Sequence, residues 1–158
     1  ELAICLIKKN SLEIILQKAT ELGVSKIIPI ISERTIVKEL NHDRANKIVI
    51  EATEQSNQLI PPEISKTITL KDFIKNLNVS SKLFFADINC KEKLKKKDIQ
   101  DDKLKLVLIG PEGDFSPTER ELILGKKNTI SFSLSKNILR TETATISAIS
   151  LINYSLDL

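Results

Sequence analysis

The sequence predicts an α/β domain with a mostly parallel sheet flanked by helices, and three observations predict it. Five short apolar or β-branched runs, at 2–7, 26–31, 82–86, 104–109 and 129–134, alternate with helical patterns, as strands joined by crossover helices do. The runs are nearly continuous in Ile, Leu, Val and Phe, which suits strands covered on both faces. At 158 residues the chain fits one domain, and one this size buries roughly 68–70% of the surface that its unfolded form exposes.

After the first strand, Leu12, Ile15, Leu16, Ala19 and Leu22 fall at helical spacing, with Asn10 or Ser11 as N-cap and Gly23 just past the end. The second strand, 26–31, leads into Ser32-Glu33-Arg34-Thr35 at the carboxyl edge of the sheet. A second helix is expected from about 43 to 59, with Ala45, Ile48, Ala52 and Leu59 on one stripe. Glu51, Glu54 and Gln55 occupy its other face, and Pro61-Pro62 stops it. The third strand ends in Phe85-Ala86.

The stretch 91–102, in which only Leu94 and Ile99 are apolar, reads as a solvated loop or a ragged helix. Its lysines, 91–97, form a solvated face or, on the alternative reading, a phosphate-contacting patch. The fourth strand runs into Ile109-Gly110-Pro111-Glu112-Gly113. Ser116-Pro117-Thr118-Glu119 then sets a capping serine, a proline at the first helical position and a capping-box glutamate in register, and Gly125 closes that helix. The fifth strand ends at Leu134 and is followed by Ile138-Leu139-Arg140-Thr141-Glu142-Thr143-Ala144. A last helix from near 142 carries Ala144, Ile146, Ala148, Ile149, Ile152 and Leu156, a broad apolar surface that needs cover.

Composition removes several function classes. The formal charge of +3 and a pI near 8.8 permit nucleic-acid contact but fall short of the pI above 9 of a dedicated nucleic-acid-binding domain. Cys5 and Cys90 form no Cys-x-x-Cys pair, so they read as reduced thiols. His42, the single histidine, lies in a polar turn without partners for a metal site or a catalytic triad. No apolar run reaches the ~20 residues of a membrane helix and no signal peptide opens the chain, so a cytoplasmic protein is expected. No dinucleotide fingerprint or phosphate loop is present. The chain has no methionine and begins in an apolar run, so a natural start upstream, with a further amino-terminal domain, is expected.

Two segments carry the functional argument, Gly110-Pro111-Glu112-Gly113 and the stretch from Leu139 to Ala144. Both follow strands, at the sheet edge where open α/β sheets bind ligands. Taken singly, the first reads equally as a plain turn and the second as an ordinary helix cap. Glycines in such a loop leave backbone N–H and C=O groups free to meet an adenine edge or a ribose. A cation at a helix amino terminus, as at Arg140, is electrostatically unfavourable and points to an anionic partner. Arg34 is placed to pair with RNA phosphate or with Glu54.

Glu21-Leu22-Gly23-Val24, Ser32-Glu33-Arg34, Glu54-Gln55, Gly110-Pro111-Glu112-Gly113 and Leu139-Arg140-Thr141-Glu142-Thr143-Ala144 together resemble the RsmE family of ribosomal RNA uridine-N3 methyltransferases, across essentially the whole chain. The resemblance implies a SPOUT fold, an α/β domain over 1–158 whose carboxyl-terminal segment forms a deep trefoil knot. It implies S-adenosyl-L-methionine as cofactor, 16S ribosomal RNA of the small subunit as substrate, and a homodimer through the knot and the last helix. It also implies an amino-terminal PUA-like RNA-binding domain that this chain lacks. No metal is implied.

On this basis Phe85, Ala86, Ile109, Gly110, Pro111, Glu112, Gly113, Leu134, Ile138, Leu139, Thr141 and Thr143 are assigned to the cofactor, and Arg34, Glu54, Gln55 and Arg140 to RNA. Arg140 stabilises the developing uridinate, and Glu142 is the base or its orienter, with Glu112 and water as competitors. The chain departs from the family pattern at Asp114, where a second glycine is usual, and at Ser135-Lys136-Asn137, where a Gly-Pro turn is usual. Other readings are a SPOUT enzyme acting on tRNA or a ribose 2′-hydroxyl, and an RNA-binding scaffold without catalysis.

Overall fold

The computed structural model describes residues 1–156; residues 157 and 158, the end of the expected domain, lie outside it. In chain order its elements are β1 (Leu2–Cys5), α1 (Lys9–Glu21), β2 (Lys26–Ile31), α2 (His42–Gln55), β3 (Glu63–Ile64), β4 (Ile68–Thr69), α3 (Leu70–Lys75), β5 (Ser81–Ala86), α4 (Lys96–Ile99), β6 (Leu104–Ile109), α5 (Pro117–Leu124), β7 (Thr129–Phe132) and α6 (Thr141–Ser155). The sheet order is β3-β2-β1-β6-β5-β7, with β4 also on β2. Every ladder is parallel.

Successive strand residues face opposite layers. Leu2, Ile4, Phe84, Val107, Ile109 and Phe132 pack against α1, α2 and α6. Ala3, Cys5, Leu83, Phe85, Leu106 and Leu108 pack against α3, Phe115 and Ile123. Both faces of the sheet are therefore dry, which is why the strands read as continuous apolar runs.

Pro29 lies inside β2, a position that proline normally avoids because it has no N–H to donate. Ile27 directs its carbonyl outward, to the Ser65 N–H at 3.0 Å, while Ile30 directs its carbonyl inward, to the Leu6 N–H at 2.9 Å. Pro29 shares the orientation of Ile27, so its missing donor faces the interval between β3, opposite Lys26–Ile27, and β4, opposite Ile30–Ile31. The proline and the broken outer strand fit one another.

The helix ends differ in detail from the expected ones. Lys8, not Asn10 or Ser11, is the N-cap of α1, and its side chain does not cap. At the other end Gly23 has φ +78. Val24 N–H donates to Ala19 C=O at 3.0 Å and Gly23 N–H to Thr20 C=O at 2.9 Å, the paired bonds of a Schellman motif. The same motif stops α2 early. Asn57 takes φ +56, Gln58 N–H donates to Thr53 C=O and Asn57 N–H to Glu54 C=O, and the helix ends at Gln55 rather than 59. Leu59 therefore leaves the expected stripe and is 97% exposed; Val49 takes its place in the buried set.

The short elements β3, β4 and α3 fall in a stretch, 60–77, that carries too few residues per element to show a period. The charged stretch contains one helical turn, α4, anchored by the buried Ile99. The capping box at Ser116 and Glu119 forms as expected, with Pro117 at the first helical position and Gly125 at the C-cap. On α6, Ala148, Ile149 and Ile152 join the core beside α1, so the same chain covers much of the apolar face. Leu151 and Tyr154 stay exposed.

Phe84 is fully buried and Leu59 almost fully exposed. Phe84→Ala is expected to cost about 3–5 kcal/mol of unfolding free energy, whereas Leu59→Ala should stay within about 0.5 kcal/mol. Denaturant titration of both variants checks this, and a loss above 1 kcal/mol at Leu59, on the order that a buried stripe residue would give, would restore the longer helix.

Candidate active site

Because all strands run the same way, the turns after β1, β5, β6 and β7 meet at one edge. There they enclose a cleft of about 560 Å³. The turn after β1 contributes Lys8 and Ser11, that after β5 Ala86, Asp87 and Ile88, and that after β6 Ile109, Gly110, Pro111, Glu112 and Asp114. The stretch from Ser133 to Leu139 and the start of α6, Arg140, Thr141, Glu142 and Ala144, complete the wall.

Gly110 sits where space is short. A Cβ built there would lie 3.0 Å from Phe115 Cε2 and 3.3 Å from Cδ2, and Phe115 is itself buried edge-on against Phe85, ring centres 5.6 Å apart. Gly113 has room, its nearest neighbours being Arg34 Cβ and Cδ at 3.8 Å. The turn closes with Asp114 N–H donating to Pro111 C=O at 2.9 Å. Asp114 then takes φ +58, the left-handed region that glycine favours and that aspartate, like asparagine, tolerates better than most residues. This accounts for the first departure from the family pattern: aspartate holds the conformation that a glycine would supply.

Two long contacts tie neighbouring loops to this turn. Arg34 Nη1 donates to Gly113 C=O at 2.8 Å. Glu119 accepts from Ser116 N–H at 3.0 Å within its capping box and from Glu33 N–H at 2.8 Å, joining α5 to the loop after β2. Arg34 is thus engaged with the β6 turn. Glu54 and Gln55 lie at the far edge of the sheet, where Gln58 Nε2 donates to Thr20 C=O at the end of α1, so the structure does not bring them to the cleft.

Asp87 anchors the floor. Its side chain is fully buried, and it accepts from Arg120 Nη2 at 2.6 Å, Ser131 Oγ at 3.0 Å and Asn89 N–H at 2.9 Å. Burial acts to raise its carboxyl pKa, but the bonds from Arg120, Asn89 and Ser131 and the Arg120 charge outweigh it, and the pKa lies below its ordinary value. Asn89 continues the network to Asp114 Oδ2 at 3.3 Å, so the walls after β5 and β6 are linked. Cys5 is no nucleophile here: burial is the main cause that pushes its thiol up to about 12, keeping it protonated.

The second departure is filled by serines. Ser133 Oγ donates to Ser135 C=O at 3.1 Å, and Asn137 N–H donates to Ser135 Oγ at 3.0 Å, so side chains shape the bend. Arg140 occupies the N-cap position of α6 without capping it, and among the described residues its guanidinium has no hydrogen-bond or ion-pair partner. Glu142, half-buried in the first turn, and Glu112 also line the cleft.

Of the residues assigned to the cofactor, Ala86, Ile109, Gly110, Pro111, Glu112, Leu134, Ile138, Leu139 and Thr141 form its wall. Phe85, Gly113 and Thr143 do not: Phe85 lies buried beneath, under Phe115. Sequence reasoning passed over Asp87, Lys8 and Ser11. Asp87 directly follows the apolar run that ends in Ala86, a signal that could have marked it.

Known proteins share the sequence and the fold of this chain. The model of the RNA methyltransferase domain family matches residues 1–153. Ribosomal RNA small subunit methyltransferase E of Rickettsia conorii is 42% identical over 151 residues, covering 94% of this chain and 61% of that protein. The protein of the same name from Aquifex aeolicus is 40% identical, covering 90% of this chain and 62% of that one. The chain therefore spans about three fifths of the length of these relatives. The structure of a ribosomal RNA small subunit methyltransferase E from Neisseria gonorrhoeae bound to S-adenosyl methionine superposes with a TM-score of 0.87 at 32% identity, covering 97% of this chain and 64% of that one.

Two outcomes test this geometry. Gly110→Ala must displace the buried Phe115 ring and is expected to cost about 1–3 kcal/mol, with Gly113→Ala within about 0.5 kcal/mol; equal costs in denaturant unfolding would remove the steric account. The folded-state pKa of Asp87 is depressed, so its contribution is present above its unfolded value of about 3.9 and is lost as pH falls through the folded value. The stability gap between wild type and Asp87→Asn should accordingly narrow below about pH 4, and a gap independent of pH would show that the carboxylate charge is not what matters.

Proposed function

The chain belongs to the RNA methyltransferase domain family, and from that premise we propose that it transfers a methyl group from S-adenosyl-L-methionine to N3 of a uridine in 16S ribosomal RNA, acting in the cytoplasm. The observation that carries the reading is the cleft itself, in which an unpaired Arg140 and the carboxylates of Glu142 and Glu112 border a pocket of mixed apolar and backbone polar character. Its volume of about 560 Å³ lies within the ~300–1,000 Å³ of small-molecule sites.

The residues present fit the cofactor. Ala86, Ile109, Leu134 and Leu139 offer apolar contact to an adenosine, and the turns at Gly110 and 133–139 offer backbone donors and acceptors. When bound, S-adenosyl-L-methionine supplies a methyl group activated on a sulfonium. Everything else falls to the chain. Transfer to N3 needs the imide proton removed and the nitrogen held in line, so rigid positioning is the main contribution, up to about 7–11 kcal/mol. Arg140 stabilises the uridinate oxygen by the logic of an oxyanion site. The N3 proton leaves to solvent, to Glu142 or to Glu112. Because N3 is occupied in a base pair, the target uridine is unpaired or flipped out.

The proposal extends to topology and assembly. After β7 the chain passes close to the 87–103 connection, where Ser133 N–H donates to Glu92 C=O at 2.8 Å, and α6 then packs on α1, β6 and α4. This course supports a carboxyl-terminal trefoil knot. The exposed Leu151 and Tyr154 on α6 support a homodimer through that helix.

Calorimetric titration with S-adenosyl-L-methionine should give saturable micromolar binding at one site per chain. Arg140→Ala is expected to keep that affinity while lowering turnover on small-subunit RNA about 10²–10³-fold. An equal loss of both would make Arg140 structural, and a methylated ribose hydroxyl or absent cofactor binding would replace the reading.

A further inference from the structure

Lys8 lies in the wall of the same cleft, yet nothing in the fold accounts for its charge. It is exposed and stands at the N-cap of α1 without capping the helix. Among the described residues its ammonium has no hydrogen-bond or ion-pair partner. The first turn of α1 contains no acidic residue either. Helices α1 and α6 pack on one another and both begin at the carboxyl edge, so Lys8 and Arg140 border one cavity from adjacent helix starts. With Lys136 they give the cleft three cations unpaired among the described residues, two of them at helix amino termini, where positive charge is disfavoured. An anion entering the cleft would find all three.

We propose that Lys8 binds a backbone phosphate of the RNA strand whose uridine enters the cleft, leaving Arg140 to the base. The division follows from chemistry. Lysine is a compact point charge on a flexible stem, suited to a phosphate at a rim, whereas the planar guanidinium of arginine suits directed donation to a ring oxygen. Ser11, which lines the cleft one turn further along α1, offers the same phosphate a hydroxyl donor. Lys8 thus holds the strand equally before and during transfer, adding binding energy rather than alignment of the base. The inference rests on the RNA methyltransferase reading of the cleft.

The test compares wild type, Lys8→Gln and Lys8→Arg in binding a uridine-containing single-stranded RNA oligonucleotide across a salt series. Methyl-transfer kinetics and S-adenosyl-L-methionine calorimetry are run on the same samples. One lost phosphate contact should flatten the slope of log affinity against log salt by about 0.7. Lys8→Gln should therefore show the flatter slope and a several-fold rise in KM with kcat nearly unchanged, and Lys8→Arg should restore both. Cofactor affinity should not move. An unchanged slope in Lys8→Gln, or no RNA binding by wild type, overturns the phosphate contact, and a fall in cofactor affinity overturns it by assigning Lys8 to the cofactor. A flattened slope in a chain that transfers no methyl group would uphold the contact and sink the reaction instead.

Discussion

Since every ladder in the sheet is parallel, each strand must hand its chain to a loop at the same edge, and the cleft depends on that one constraint. β1 sits in the middle of the sheet, between β2 and β6, so its turn and the turn after β6 are neighbours although they are distant in sequence. The strand order reverses direction there, which is where ligands enter open sheets of this kind. The helices inherit the same polarity: α1 and α6 both start at the edge that the cleft occupies. A chemistry that relies on positioning gains directly, because the loops spring from strands buried on both faces rather than from one another.

Loops alone would still be loose, and the structure ties them together with charge. Glu119 spans from its own cap to the Glu33 N–H, Arg34 reaches the Gly113 carbonyl, and Asp87 gathers Arg120, Ser131 and the Asn89 N–H. Apart from the Asn89 bond, local to the turn after β5, each link joins parts of the chain that belong to different strands or their loops. Buried charges are costly unless fully partnered, and among the described residues no buried side-chain nitrogen or oxygen lacks a partner. Of the cations without partners among the described residues, Lys8, Lys136 and Arg140 line the open cleft instead.

The five long strands, the α5 capping box and the two loops that bound the cleft were legible because each has a local signature: a run of apolar residues, a Ser-Pro-x-Glu spacing, a pair of glycines. The glycines were legible as a turn but not in their separate roles, since only packing reveals that Gly110 must clear Phe115 while Gly113 need not. The end of α2 was misplaced because Asn57 can end a helix as a glycine does, and the apolar Leu59 appeared to continue the period. β3, β4 and α3 are too short for any period to emerge. The Arg34 contact and the Asp87 network bridge residues far apart in sequence, and no spacing rule reaches across such intervals. Lys8 looked like one lysine among many until the fold placed it on the same cleft as Arg140.

One feature of the outer edge bears on the life of the molecule in a crowded solution. A sheet edge with a long row of free N–H and C=O groups invites a second chain to add its own strand. Here the edge beyond β2 consists of two fragments, Glu63–Ile64 and Ile68–Thr69, with Pro29 behind the gap between them. A foreign strand aligning there finds no unbroken ladder to extend, and behind the gap it meets a residue with no donor. The interruption that spares Pro29 an unmet bond also denies the sheet a template for growth, so a wholly parallel, strongly apolar sheet remains closed to aggregation along this side.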